Sequence, residues 1–266
     1  MKKIVFAMAV LALGAGAIRA QEWAQQRLEK SPRHQEWVTV KYGNRAVEAF
    51  LVFPERKDKA PAVVVIHEIM GLTDWVRSVA DQLAEAGYIA IAPDLLSGMG
   101  PGGGRTSAFP SVDGVREAIA KLPPEQITAD LNAVVDYVAK LPASSGKVAV
   151  AGFCWGGSQS FRFATNRADL AAAFVFYGAG PQEAEPIARI RCPVYGFYGG
   201  NDARVNATIA KSEELMKAAA KTFDYVIYEG AGHGFMRSGE APDATEANRQ
   251  ARDQAWKRWK ALLQTL

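Results

Sequence analysis

The feature that most constrains this chain is a regular alternation between short, fully apolar runs and longer segments with helical spacing. The run Ala62–Ile66 is apolar at every position, which is typical of a strand covered by helices on both faces. From there to the C-terminus, strand patterns and helical patterns alternate. The alternation predicts a single α/β domain with a mostly parallel, doubly wound sheet flanked by helices.

The individual elements are predicted from their hydrophobic periodicity and their turn residues. The predicted strands are Glu36–Tyr42, Val47–Phe53, Ala62–Ile66, Tyr88–Pro93, Lys147–Gly152, Ala171–Tyr177, Pro193–Tyr198 and Tyr225–Tyr228. The predicted helices are Thr73–Ala86, Glu125–Leu141, Gly156–Thr165, Val205–Lys221 and Ala244–Leu266. A polar lead-in, Gln21–Pro32, precedes them, and the glycine-rich segment Ser97–Ser111 is predicted to be a mobile rim loop.

The first twenty residues have the layout of a secretory signal peptide. Lys2 and Lys3 precede an apolar run, Ile4–Ile18, which at 15 residues is short for a membrane span of about 20. We therefore predict a removed signal peptide, 1–20, a mature domain, 21–266, and a periplasmic or secreted protein without stable membrane insertion. An uncleaved anchor is the alternative. Removal leaves 28 basic and 28 acidic residues, a balance that gives no reason to expect nucleic-acid binding.

Cys154 carries the most specific chemical signal. It lies in Gly152-Phe153-Cys154-Trp155-Gly156-Gly157, between a predicted strand and a predicted helix. This is the context of a nucleophile elbow with cysteine in place of serine, and the strained turn needs glycine two positions before and after the nucleophile. A helix N-terminus also favours a thiolate. A structural cysteine in a tight turn is the alternative, and the other cysteine, Cys192, is expected to be a buried free thiol.

Two later loops supply the residue types that a cysteine nucleophile needs. Asp202 follows the strand Pro193–Tyr198, and His233 lies in a glycine-flanked loop after the strand Tyr225–Tyr228. Alone, Asp202 reads as a helix-capping turn residue and His233 as an ordinary loop histidine. Together with Cys154 they give the order nucleophile, acid, base, each at the end of its own strand, which predicts a catalytic triad.

The segment His67-Glu68-Ile69-Met70-Gly71 directly follows the buried strand Ala62–Ile66. In hydrolases with an elbow, the loop at this place supplies one backbone N–H of the oxyanion hole, and the residue after the nucleophile supplies the other. These donors would be Ile69 and Trp155. Position 71 is glycine, so the second histidine of a zinc-protease motif is missing and we predict no metal. The glycine loop lacks a phosphate-binding pattern, and no cofactor is expected.

Taken together, these residues resemble the dienelactone hydrolase (carboxymethylenebutenolidase) family of the α/β-hydrolase superfamily, over roughly Trp37–Leu263. The resemblance implies that Cys154 is the nucleophile, Asp202 the acid and His233 the base. It also implies that Glu68 is an additional carboxylate that helps to generate the thiolate when substrate binds. Arg237 matches an arginine that holds a substrate carboxylate, although a surface arginine would fit the sequence equally well.

The resemblance implies hydrolysis of carboxylic ester or lactone bonds in small, possibly carboxylated molecules. A second carboxylate-binding arginine has no motif here; Arg105 and Arg116 are the candidates, with Arg105 the one we assign. Tyr177, at a strand end, is a candidate for lining the pocket, although buried packing is the alternative. Other functions remain open: a broad short-chain esterase or thioesterase, or an inactive protein that binds small acids. We expect a monomer.

Overall fold

The computed structural model describes residues 21–266, so the predicted signal peptide lies outside the described residues. Its strands are β1 (Gln35–Tyr42), β2 (Arg45–Val52), β3 (Ala60–Ile66), β4 (Ile89–Pro93), β5 (Ser144–Phe153), β6 (Ala173–Phe176), β7 (Val194–Gly199) and β8 (Phe223–Tyr228). Its longer helices are α1 (Glu22–Lys30), α2 (Asp74–Glu85), α3 (Val112–Ala120), α4 (Pro124–Ala139), α5 (Trp155–Ala164), α8 (Ile209–Ala218) and α10 (Glu246–Leu263). The short helices are α6 (Ala184–Ala188), α7 (Ala203–Asn206) and α9 (Phe235–Ser238).

The strands form one eight-stranded sheet in the order β1-β2-β4-β3-β5-β6-β7-β8. The neighbouring strands from β4 to β8 pair in parallel, whereas β2 is antiparallel to both β1 and β4. Because the parallel strands all end at the same edge, the loops that follow β3, β5, β6, β7 and β8 meet there. The predicted single α/β domain with a mostly parallel sheet is confirmed.

The apolar run in β3 is buried on both faces, as its lack of alternation predicts. Val64 and Ile66 pack in a core with α3, α4, α5 and α8 on one side of the sheet. Val63 and Val65 belong to the core on the other side, which contains α1, α2 and α10. The two cores account for the continuous apolar sequence, because no face of β3 is left to water.

The main differences from the sequence prediction lie in three segments; the short helices α6 and α9 were also not predicted. The lead-in contains α1, which the sequence conceals because only Ala24 and Leu28 on this polar helix are buried. The predicted helix Val205–Lys221 is divided into α7 and α8; Thr208 lies in the break and its hydroxyl donates to the Val205 carbonyl at 2.7 Å. The helix α3 was not predicted.

The rim loop Ser97–Ser111 is anchored at its centre. The Thr106 hydroxyl donates to Asp94 Oδ1 at 2.7 Å, and its backbone N–H donates to Asp94 Oδ2 at 3.0 Å. The same hydroxyl accepts from the Leu72 N–H at 3.2 Å. These contacts connect the loop to the chain that follows β3, so it is held against the sheet edge at this point. The predicted mobility of the rest of the loop stays a prediction.

Candidate active site

Cys154 stands alone between the end of β5 and the start of α5. Its backbone has φ 55° and ψ −117°, a left-handed conformation that a side chain rarely adopts. The turn is held by the Cys154 N–H, which donates to the Phe176 carbonyl of β6 at 3.0 Å. The strain lifts the sulfur out of the sheet edge, as expected of a nucleophile elbow.

The glycines around the cysteine are sterically required. A Cβ on Gly152 would lie 1.9 Å from the Gly156 carbonyl oxygen, and a Cβ on Gly156 would lie 2.3 Å from the His67 carbonyl oxygen. Both contacts are to backbone atoms that cannot move aside without breaking the sheet edge. The structure thus confirms the need for small residues two positions before and after Cys154.

Asp202 and His233 are brought together by the loops after β7 and β8. The Asn201 N–H donates to the Ala231 carbonyl at 2.9 Å, and a Cβ on Gly199 would lie 2.7 Å from the same oxygen. The backbones of the two loops therefore touch directly. His233 Nδ1 lies 2.5 Å from Asp202 Oδ2 as a result.

The imidazole bridges the carboxylate and the sulfur. His233 Nε2 lies 3.1 Å from Cys154 Sγ, so the three side chains form one hydrogen-bonded chain. Bonding to the Cys154 sulfur and to Asp202 raises the pKa of His233 to about 9, although burial acts in the opposite direction. The structure places the predicted nucleophile, base and acid in the geometry that nucleophilic catalysis needs.

Asp202 also does what a turn aspartate does. Its Oδ1 accepts from the Val205 N–H at 3.4 Å at the start of α7, while its Oδ2 faces His233. The interpretation of Asp202 as a helix-capping turn residue is therefore confirmed, and its role as the acid of a triad stays a prediction. The backbone contact holds the carboxylate in place for the imidazole.

Glu68 lies in the loop after β3, and its side chain is 3% exposed. Its Oε2 accepts from Arg237 Nε of α9 at 2.8 Å. Burial raises the pKa of Glu68, and the Arg237 guanidinium opposes that rise. The two residues that the sequence assigns to thiol activation and to carboxylate binding thus contact each other.

Arg237 also faces open space. It lines a cavity of about 750 Å³ together with Trp23 of α1 and the segment 241–245. A ligand in that cavity would reach the guanidinium from the side of α1, an element outside the predicted family resemblance.

The two predicted backbone donors of the oxyanion hole flank the elbow. Trp155 is the first residue of α5, where a backbone N–H has no partner within the helix. Ile69 belongs to the tight turn formed by Glu68 and Gly71, where the Gly71 N–H donates to the Glu68 carbonyl at 3.0 Å. Their assignment to the oxyanion hole stays a prediction.

Three other candidate residues have different surroundings. Tyr177 is fully buried, with its ring edge-on to the His233 ring at 5.1 Å, so it supports the imidazole from behind instead of lining an open pocket. Arg105 stacks over the Trp37 ring at 3.6 Å and lies 3.8 Å from Glu48. Arg116 pairs with Asp113 on the exposed surface of α3. No described contact joins either arginine to the triad.

Comparison with known proteins identifies the family of this chain. The model of the dienelactone hydrolase family matches residues 47–266. This chain belongs to the dienelactone hydrolase family. A relative from Methylorubrum extorquens named carboxymethylenebutenolidase is 31% identical over 210 residues, which are 74% of this chain and 71% of the relative. One from Synechocystis with the same name is 30% identical over 241 residues, 86% of this chain and 95% of the relative.

The fold agrees as well. The crystal structure of a dienelactone hydrolase from Klebsiella pneumoniae superposes with a TM-score of 0.76 and 25% identity, covering 88% of this chain and 99% of that one. This hydrolase is accordingly a carboxylic ester hydrolase with an α/β-hydrolase fold.

Three further features complete the description. Cys154 and Cys192 are both free thiols, as expected, and burial raises the pKa of Cys192 to about 11. Within residues 21–266, no group of three or more His, Cys, Asp or Glu side chains is arranged to hold a metal ion. None of the helices in this described part is long and apolar enough to cross a membrane.

One residue beside the site was missed. His67 was considered only as part of a zinc motif, yet it is fully buried between the loop after β3 and the elbow. Its position directly after the buried strand was the available signal.

Proposed function

We propose that this protein hydrolyses carboxylic ester or lactone bonds through an acyl-enzyme on Cys154, with His233 as acid and base and Asp202 as the residue that orients it. The observation that carries the proposal is the continuous chain from Asp202 Oδ2 through His233 to Cys154 Sγ, at 2.5 Å and 3.1 Å. A cysteine held in a strained turn beside an imidazole and a buried carboxylate has the arrangement of an activated nucleophile.

The first half of the reaction forms the acyl-enzyme. The thiolate of Cys154 attacks the carbonyl carbon, the carbon–sulfur bond forms, and the carbonyl electrons move to oxygen. The backbone N–H groups of Ile69 and Trp155 receive that oxyanion; one such donor is typically worth about 3 kcal/mol. The intermediate then expels the leaving oxygen, which takes the proton from His233 Nε2.

The second half regenerates the enzyme. His233, now neutral, takes a proton from water, and the resulting hydroxide attacks the thioester carbonyl. Collapse of this intermediate breaks the carbon–sulfur bond and releases the carboxylic acid, which loses its proton to bulk water. The proton taken from the attacking water stays on His233, beside the regenerated Cys154 thiolate.

Arg237 and Glu68 are proposed to select substrates that carry a carboxylate. The guanidinium of Arg237 has donors besides Nε, and the carboxylate of a substrate bound at Cys154 would pair with them. Such a ligand would weaken the contact between Arg237 and Glu68. Since Arg237 holds down the pKa of Glu68, the carboxylate of Glu68 would become a stronger base. This is how Glu68 would assist deprotonation of Cys154 when substrate is bound.

The test is hydrolysis of a dienelactone by the mature protein, followed by ultraviolet absorbance, beside the variants Cys154→Ala and Cys192→Ala. We expect turnover in the wild type and in Cys192→Ala, because Cys192 is buried away from the triad, and a fall of about 10³-fold or more in Cys154→Ala. Turnover that survives in Cys154→Ala would contradict the nucleophile.

A panel of neutral and carboxylated esters and thioesters decides the substrate class. A well-folded wild type that hydrolyses neutral esters but no lactone would show a broad esterase. One that binds small acids without turning over any member of the panel would show a binding protein.

We further propose that the protein is exported to the periplasm or beyond and acts there as a monomer. The basic start and the apolar run Ile4–Ile18 support export. The mass of the protein recovered from the periplasm is expected to lack residues 1–20, and an intact N-terminus would contradict cleavage. Light scattering of the mature protein tests the monomer.

A further inference from the structure

His67 is fully buried between the loop after β3 and the nucleophile elbow, and the proposed mechanism does not use it. It lies directly after β3 and directly before Glu68. Its neighbours in space belong to both sides of the predicted oxyanion hole, the Glu68–Ile69 peptide on one side and Trp155 on the other.

The hydrogen bonds of the ring define its tautomer. Nδ1 lies 2.8 Å from the Glu68 carbonyl oxygen, which can only accept, so Nδ1 carries the proton. Nε2 faces the Leu95 N–H, which can only donate, at 3.4 Å. Burial lowers the pKa of His67, which keeps the ring neutral, although Asp94 acts in the opposite direction.

The hydrogen bond from His67 Nδ1 to the Glu68 carbonyl also orients the peptide that joins Glu68 to Ile69. The Glu68 C=O and the Ile69 N–H belong to the same planar peptide, and no described peptide bond is cis. In a trans peptide these two groups point in opposite directions. Two donors, His67 Nδ1 at 2.8 Å and the Gly71 N–H at 3.0 Å, hold the carbonyl on one side. The Ile69 N–H is thereby directed to the other side.

The ring also supports the second donor. It stacks on the Trp155 indole with centroids 5.4 Å apart and 17° between the planes. The backbone of His67 touches the elbow as well, since a Cβ on Gly156 would lie 2.3 Å from its carbonyl oxygen. A single residue therefore packs on the Trp155 side chain, lies against the backbone of Gly156 and orients the peptide of the Ile69 N–H.

We infer that His67, as a neutral imidazole with its proton on Nδ1, is the positioning residue of the oxyanion hole and aligns the Ile69 and Trp155 N–H groups for the same oxygen. The inference rests on the proposed function of Cys154. No described hydrogen bond joins the His67 side chain to Cys154, Asp202 or His233, so its role is to position other groups.

The experiment compares two amides that each keep one half of the imidazole. In His67→Asn the amide nitrogen takes the place of Nδ1 and still donates to the Glu68 carbonyl. In His67→Gln the amide reaches the position of Nε2 and that donor is lost. Removal of one oxyanion donor typically lowers kcat by about 10²–10³-fold. If the oxyanion donors are only misaligned, we expect the rate of acylation by p-nitrophenyl acetate to fall about 10-fold or more in His67→Gln. We expect a markedly smaller fall in His67→Asn.

A second reaction of the same sulfur separates positioning from general damage. Alkylation of Cys154 by iodoacetamide passes through no oxyanion, yet it needs the same thiol and imidazole. We expect equal alkylation rates in the wild type, His67→Asn and His67→Gln, measured in a Cys192→Ala background so that one thiol reports. Three outcomes would each overturn the role of His67. The acylation rate could be the same in all three proteins, it could fall equally in His67→Asn and His67→Gln, or the alkylation rate could fall in parallel with it.

The proposed function and this inference fail differently. A wild type whose release of p-nitrophenol does not depend on Cys154 would contradict the acyl-enzyme itself. Cys154-dependent release in the wild type, with an unaffected His67→Gln variant, would contradict the role of His67 alone. If the variants do not fold, nitrogen NMR of ¹⁵N-histidine-labelled wild type still decides. A buried neutral histidine protonated on Nδ1 is expected, and one protonated on Nε2 would overturn the inference.

Discussion

Two charged pairs stand beside Cys154, and they differ in how firmly the carboxylate is held. In each pair the carboxylate is nearly buried and its basic partner is about one third exposed: 6% and 34% for Asp202 and His233, 3% and 35% for Glu68 and Arg237. Asp202 has a short side chain and a second contact to the Val205 N–H. Glu68 has a longer side chain whose one described hydrogen-bond partner is Arg237.

The number of contacts that hold each carboxylate determines what each pair can do. Asp202 is fixed on both oxygens, so it can hold the imidazole in one orientation throughout the reaction. Glu68 and Arg237 contact each other in the structure. On the proposed function, a substrate carboxylate would compete with Glu68 for the same guanidinium, and the pair would then exchange partners. The Asp202–His233 pair is suited to keep one geometry, and we call it the constant pair. The Glu68–Arg237 pair is suited to exchange partners, and we call it the responsive pair.

The largest effect is expected from the constant pair. Asp202→Asn keeps the size of the side chain but removes the charge that stabilises the imidazolium, so we expect kcat to fall by about 10³–10⁴-fold.

The same substitution should shift the pH at which kcat/KM declines on the alkaline side of the profile. In the wild type we expect this limb near pH 9, because bonding to Cys154 and Asp202 raises the pKa of His233 to about 9 and the proton for the leaving group is lost above it. Because Asp202 helps to raise that pKa, the limb should shift to lower pH in the variant. A pH–rate profile of both proteins measures this, and an unchanged limb would contradict the coupling.

A smaller, selective effect is expected at the responsive pair. Arg237→Ala removes the charge that would bind a substrate carboxylate, and a charge-assisted hydrogen bond is worth about 1.5–3 kcal/mol. We expect KM for carboxylated esters to rise about 10- to 100-fold relative to KM for neutral esters. We compare the ratio of the two KM values because the variant leaves Glu68 buried without its partner. The resulting loss of folding stability affects the assays of both ester classes alike. Arg116→Ala, which removes an exposed arginine paired with Asp113, is the matched control. Equal losses on both ester classes would mean that Arg237 is structural.

The smallest effect is expected from Glu68→Gln. The amide oxygen still accepts from Arg237, but a substrate carboxylate no longer competes with a fixed negative charge. KM for carboxylated esters should therefore fall by about two- to fivefold, which corresponds to the worth of a partly screened charge pair, while kcat falls because the thiol loses its additional base. Glu240→Gln, at another buried carboxylate that pairs with Arg252, is the control. A rise of KM in Glu68→Gln would show that Glu68 holds Arg237 in place for the substrate.

Much of the fold followed from local pattern, and its failures have one cause. The buried strands were predictable because continuous apolar sequence has few other solutions in a chain with intervening helices. The helix α1 was missed because two buried positions give too weak a period to detect. The boundary between α7 and α8 depends on one hydroxyl that bonds to the backbone, which competes locally with a helical pattern that otherwise continues.

The sequence was enough to name the candidate residues of the site. Glycines around Cys154, an aspartate after one strand and a histidine after another are local features, and parallel strands bring their ends to one edge whatever the details of packing. Only the tertiary structure decided how those residues pair. Three pairings depend on contacts between segments distant in the chain: Glu68 with Arg237, Arg105 with Trp37, and His67 with Trp155. Such contacts are fixed by the packing of loops in three dimensions, and no spacing along the sequence records them.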